Sequence, residues 1–154
     1  MIKTVLYIIL LSSLSTSSLM AAEWEPIGET GRSFDKSNLT VMNKNIVFAW
    51  IGFKMSNAEV TKLVDSLMKE GEKVDFSNYD FTMMREYMKC KDHKSAIKYI
   101  VHYDIYKNEI IASYYKDIEY EKVIPKTIGD ECFASICKYA NRNYSTEMKL
   151  FLSK

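Results

Sequence analysis

From Tyr79 to Ile124 the sequence alternates with a period of two, and this pattern restricts the possible folds more than any other feature. "FTMMREYMKC" (Phe81–Cys90), "SAIKYIVHYDIY" (with its strand over Ala96–Tyr106) and "EIIASYYKDIEYEKVI" (with its strand over Ile110–Glu121) follow one another closely. They are separated only by "KDHK" and "KN". Alternation of this kind marks half-buried strands, and links this short join antiparallel neighbours. A meander is predicted. The turn at Lys107 and Asn108 needs a residue that tolerates positive φ, and Asn108 is the expected one. In the middle strand, Ile97, Tyr99, Val101, Tyr103 and Ile105 share one face, expected to meet the core. Lys98, Ile100, His102 and Asp104 share the other, so His102 is expected on a wet face.

Two segments break the period. "SNAEVTKLVDSLMKEG" has Ser56 and Glu59 at capping-box spacing and Gly71 as a stop, and it predicts a helix over Asn57–Glu70. Its apolar residues Val60, Leu63, Val64, Leu67 and Met68 fall on one side, which is expected to lie against the sheet. "IPKTIGDECFASICKYANR" restarts helical spacing after Pro125, with Thr127 as cap and Asp130 in the first turn. On a helical wheel Ile128, Cys132, Phe133, Ile136, Cys137 and Ala140 share one half. Upstream, "IVFAWIGF" (Ile46–Phe53) is rich in β-branched and aromatic residues and predicts a further strand. The fold class is α+β: an antiparallel sheet with a C-terminal helix packed on one face and an additional inserted amphipathic helix.

The leader "MIKTVLYIILLSSLSTSSLMAAEW" has one charge at Lys3, an apolar run from Val5 to Leu11 and small residues at Ala21 and Ala22. That is the plan of a signal peptide over residues 1–21, leaving residues 22–154 as one expected domain. The apolar run is far short of the ~20 residues that span a bilayer, so no transmembrane segment is expected in the mature chain. No cysteine precedes Cys90, which argues against an N-terminal lipid anchor. The formal charge of +1 and the intermingling of lysines with acids give no nucleic-acid footprint.

Three cysteines remain. Cys132 and Cys137 lie about 140° apart around one helix and ~7.5 Å along it, too far to bond each other. Helical spacing alone leaves either as a partner for Cys90. A zinc site from Cys90, His93, Cys132 and Cys137 lacks standard ligand spacing in its second half. Neither His93 nor His102 is placed by the sequence beside a nucleophile. Asp117, Glu119 and Glu121 alternate along an expected strand and read as a solvated acidic edge. There is no glycine-rich phosphate loop or nucleophile elbow. No catalytic, cofactor-binding or metal-binding residue is assigned, and a non-enzymatic protein is expected. The eleven tyrosines, among them Tyr114, Tyr115 and Tyr120, suit a protein-binding surface or half-buried sheet margins.

Taken in order, "EWEPIG", "SFDKSNL", "IVFAWI", "MKCK", "VHYDIYKNEIIASY" and "VIPKTIGDECFASIC" resemble the surface-adhesin protein E-like domain family of exported bacterial proteins. The resemblance implies a Cys90–Cys137 disulfide. It also implies a binding module of the cell envelope, adhesin-like, taking host extracellular-matrix or plasma proteins. The alternative is a periplasmic structural or assembly subunit that binds another envelope protein, with the inserted helix as its docking surface. The expected location is the periplasm, the outer surface or the medium. Ser56–Gly71, Asn108 in place of a turn glycine, and Cys132 depart from the family pattern.

Overall fold

A computed structural model describes residues 22–42 and 45–152, with side chains described as far as residue 143. The expected leader lies outside these residues. Among the described residues, strands β1 (Trp24–Pro26), β2 (Arg32–Asp35), β3 (Thr40–Met42) and β4 (Ile46–Phe53) precede helix α1 (Asn57–Lys69). Strands β5 (Tyr79–Lys89), β6 (Lys94–Asp104), β7 (Glu109–Tyr114) and β8 (Glu121–Lys122) follow, and α2 (Ile128–Leu152) closes the chain. The sheet runs β1-β2-β4-β5-β6-β7, with β3 beside the start of β4 and β8 beside the start of β6. Every pairing is antiparallel.

The predicted strands β4, β5 and β6 are present, but the third strand of the meander is shorter than its alternation suggests. Pairing stops at Tyr114, residues 115–120 form an irregular connection, and only Glu121 and Lys122 return to the sheet. Asp117 and Glu119 are therefore loop residues, not members of a strand edge. The β6–β7 turn also differs from expectation. Lys107, not Asn108, takes the positive φ, at 68°. Its N–H donates to the Asp104 carbonyl, while the Asp104 carboxylate accepts from the Asn108 backbone and side chain. This is a three-residue loop ending in a left-handed residue, a common hairpin solution. Asn108 serves by hydrogen bonding instead.

The hydrophobic core lies between α2 and one face of the sheet. Val47, Ala49 and Ile51 of β4 and Met84 and Met88 of β5 point into it, and each is buried. α2 supplies Cys132, Phe133, Ile136, Cys137 and Ala140. Ile136 is wholly inaccessible. Ile128, which the wheel groups with them, is exposed in the first turn. That turn is fixed as the sequence predicts: Thr127 Oγ1 accepts from the Asp130 N–H, and Asp130 accepts from the Lys126 N–H.

The inserted helix has its predicted capping box, with Ser56 and Glu59 exchanging hydrogen bonds. Its apolar stripe is only half-buried, however. No residue of α1 is buried, and Met68 is 66% exposed. The core between α2 and the sheet is filled without any side chain from α1, so α1 remains peripheral. At the other end of the sheet, Asp35 organises the "SFDKSNL" turn. Its carboxylate accepts from the Glu23 and Ser37 N–H groups, the Ser37 hydroxyl and the Asn38 amide. Burial pushes its pKa up, but those hydrogen bonds outweigh burial and hold the carboxyl below its ordinary value.

Candidate functional site

Register decides which face of the sheet meets solvent. Residues directly opposed across an antiparallel pair point to the same side. Met84 lies opposite Ile51 and Ile100, and Thr82 lies opposite His102. Ile100 and His102 therefore belong to the covered side. Tyr99 and Tyr103 lie opposite Arg85 and Phe81 on the other, uncovered side. This inverts the expectation from sequence for Tyr99, Tyr103 and His102, because both sides of β6 are apolar enough to form a core, while Val101 between the two tyrosines is buried as expected. A β-bulge adds to the change. Arg85 pairs with Tyr99 but Glu86 with Ile97, so Lys98 is the extra residue and Ile97 leaves the Tyr99 row.

The correction is largest for His102. It is 8% exposed, not wet. Nδ1 sits 2.8 Å from the Thr82 hydroxyl, which in turn lies 2.9 Å from the Tyr79 hydroxyl. Phe76 closes over the imidazole at 5.5 Å between ring centres. Burial lowers the His102 pKa.

The uncovered side carries a continuous group of rings. Along β4 it shows Phe48 and Trp50, along β5 Phe81 and Tyr87, and along β6 Tyr99 and Tyr103. All are half-buried, and among the described residues they shelter one another with no second layer over them. Trp50 meets Tyr99 edge to face at 5.7 Å, Phe48 meets Tyr87 at 5.3 Å, and Phe81 stacks on Tyr103 at 4.8 Å. Arg85 stands at the centre, its guanidinium carbon 4.5 Å above Phe48 and within 5.8 Å of the Trp50 and Tyr87 rings. Its Nε is buried without a hydrogen-bond acceptor among the described residues. Ring contacts of this kind hold a cation by its attraction to the π faces. At the β1 end the Trp24 indole lies flat against Gly52, where an added Cβ would stand 3.1 Å from the ring. Trp24, Gly52, Phe81 and Met83 border an open apolar cleft of 590 Å³.

The chemistry-bearing residues singled out from sequence are dispersed. Cys90 and Cys137 are joined in a disulfide with Cα atoms 5.8 Å apart, the pairing implied by the family resemblance. Cys132 is 1% exposed, and burial pushes its thiol up to about 11, so little thiolate forms at neutral pH. His93 sits in the β5–β6 turn at φ 52°. Its Nε2 lies 3.1 Å from Asp130 and its ring packs on Phe133, tying that turn to the start of α2. Neither histidine hydrogen-bonds to Cys132 among the described residues. Asp117, Glu119 and Glu121 line an open cleft of 610 Å³ together with Glu86, Ala96, Lys116 and Lys122. Glu86 is buried, and desolvation raises its carboxyl pKa, with Ser95 and Arg32 opposing that shift. Among the described residues no group of three or more His, Cys, Asp or Glu side chains is placed to hold a metal ion, and no helix is long and apolar enough to cross a membrane.

Sequence reading singled out Tyr114, Tyr115 and Tyr120, whereas the tyrosines of this cluster are Tyr87, Tyr99 and Tyr103, and it assigned Tyr99 and Tyr103 to the core side. Trp50 and Phe48 look like core residues in "IVFAWI", and Arg85 looks like a solvated charge in "MMREYM". One signal was present: Arg85 falls in register with Phe81, Met83 and Tyr87, a cation within an otherwise apolar and aromatic row of the strand.

These features define a class of fold: an antiparallel sheet with one face closed by a disulfide-tethered C-terminal helix and the other left open and aromatic. No protein-family model matches the sequence, and no curated protein matches it. The selenomethionine form of Haemophilus influenzae protein E is similar, with a TM-score of 0.50 at 11% identity, covering 75% of this chain and 85% of that one. Crystal form II of the same protein aligns with a TM-score of 0.46 at 12% identity, over 70% of this chain and 80% of that one. The chain has a distant protein E-like fold.

Proposed function

We propose that this protein is an exported, non-enzymatic binding module that engages a protein partner through the aromatic face of its sheet. The observation that carries the reading is the uncovered cluster of Phe48, Trp50, Tyr87 and Tyr99 around Arg85. Trp, Tyr and Arg are the residue types that dominate protein-binding hot spots, and a sheet face that no second layer closes among the described residues leaves them available. The leader and a disulfide between core elements support export into an oxidising compartment. The protein E-like fold supports an adhesin-like role, with host matrix or plasma proteins as the partner class.

A second reading, a periplasmic assembly subunit docking another envelope protein through α1, draws support from the half-buried apolar stripe of that helix. Affinity capture from serum and from envelope extract tests both. Trp50→Ala with Tyr99→Ala is expected to abolish capture, and loss on Met68→Glu alone would transfer the role to α1. Protection from protease in intact cells would overturn surface adhesion.

A further inference from the structure

The rows of the aromatic face follow a charge order that the sequence does not reveal. Lys89 of β5 lies directly opposite Lys94 of β6, and Lys94 directly opposite Lys122 of β8. Three lysines thus form one row across three adjacent strands, on the side that carries Tyr87 and Arg85. Strands lie about 4.8 Å apart, so the row is about 10 Å wide. Like charges placed directly opposite destabilise a sheet. No carboxylate forms an ion pair with any of the three among the described residues; the ion pairs there belong to Lys36, Lys54, His93 and Lys107. Lys89 instead rests its ammonium 4.0 Å above the Tyr120 ring. Farther along the same face come Phe48 and Tyr87, and then Trp50, Arg85 and Tyr99, and Arg85 likewise forms no ion pair among the described residues.

We propose that this face receives an acidic polypeptide segment, whose carboxylates lie over the Lys89–Lys94–Lys122 row and Arg85 and whose apolar side chains fill the ring cluster between them. The proposal rests on the protein-binding reading above and adds the chemistry of the partner. Charge complementarity selects the sign through Lys89, Lys94 and Arg85, while Lys122 also borders the cleft that holds Asp117, Glu119 and Glu121. The ring geometry selects a polypeptide over a nucleic acid or polysaccharide: Trp50 and Tyr99 meet edge to face at 89°, and Arg85 already occupies the Phe48 face, so the rings offer no ladder of parallel platforms for bases or sugars. The lysines, at the margin of the cluster, act mainly on the rate and salt dependence of association, and the rings on its lifetime.

The test measures fluorescence anisotropy of a labelled random Glu/Tyr copolymer against the full chain at low and high salt, with a Lys/Tyr copolymer, poly-Glu, heparin and oligo-dT as comparisons. The Glu/Tyr copolymer is expected to bind best, and more weakly as salt rises. Lys89→Glu, Lys94→Glu and Lys122→Glu together are expected to weaken it by about tenfold or more and to flatten the salt dependence. None of the three lysines is buried, so the reversal removes little beyond the Lys89 contact with Tyr120, and near-UV circular dichroism checks the fold. The milder Lys→Gln set gives the same direction if the reversed variant fails that check. Equal affinity of wild type and the lysine variants, or tighter binding of heparin, oligo-dT or the Lys/Tyr copolymer, overturns the proposal. If Trp50→Ala with Tyr99→Ala abolishes capture of the natural partner while the lysine variants do not weaken copolymer binding, the aromatic-face reading stands and the acidic-partner proposal falls. If the ring variants leave capture intact, the site reading itself falls.

Discussion

Removing the Cys90–Cys137 tether is expected to be the most destabilising change that leaves the core side chains of the sheet in place. The bond closes 47 residue steps. It joins the end of β5 to the buried side of α2, so it spans β6, β7, β8 and the first turns of the helix. In the chain-entropy treatment a loop of this size restricts the unfolded chain by about 4 kcal/mol. The variant Cys90→Ala with Cys137→Ala isolates this effect, because it leaves no second thiol for Cys132 to oxidise with. At an m-value of about 1.5 kcal/mol/M the urea midpoint falls by about 2–3 M. Wild type under reducing conditions is expected to fall by a similar amount. Cys132→Ala is the control: a buried sulfur is lost but no loop is opened, and the cost is about 1 kcal/mol. Native oxidised protein should present no thiol to iodoacetamide, and one after unfolding. If the double alanine variant costs no more than Cys132→Ala, the reasoning from loop closure is refuted.

Two buried titratable groups on the covered side are expected to tilt stability against pH in opposite senses. Burial lowers the His102 pKa below 6.5, so the unfolded chain binds its proton first; this contribution is complete above pH 6.5 and is lost as pH falls through the folded-state value. Burial raises the Glu86 pKa above 4.5, so its contribution is complete below pH 4.5 and is lost as pH rises through the folded-state value. Urea midpoints across this range should lose part of their rise with pH in His102→Asn and gain slope in Glu86→Gln; unchanged slopes would count against the burial of these groups. Gly52→Ala should displace the Trp24 indole, whose ring atoms stand 3.1 and 3.2 Å from the added carbon, and red-shift tryptophan emission. An emission spectrum matching wild type would show that Trp24 does not rest there.

Much of the chain was legible without its structure because the relevant physics is local. Ser56 and Glu59 three residues apart form a capping box through backbone groups within one turn, and Thr127 with Asp130 closes the next helix in the same way. Alternation from Phe81 to Tyr103 specifies strands, and the short links between them specify their antiparallel order. The disulfide was legible at a different level. Helical spacing left Cys132 and Cys137 both open, and only the family resemblance chose Cys137.

The remaining decisions required contacts between distant residues. Periodicity states that two sides of β6 differ but not which side a helix will cover when both are apolar. Tertiary packing settled that: α2 covers the side carrying Met84, Phe76 closes over His102 on that same side with Thr82, and Tyr99 and Tyr103 stay on the other. The bulge at Lys98 shifted register by one residue, which moved Ile97 across the sheet. In sequence Lys89, Lys94 and Lys122 are scattered charges among acids. Cross-strand pairing sets them in a single row beside Arg85 and its rings, because register brings residues far apart in the chain to within one strand spacing.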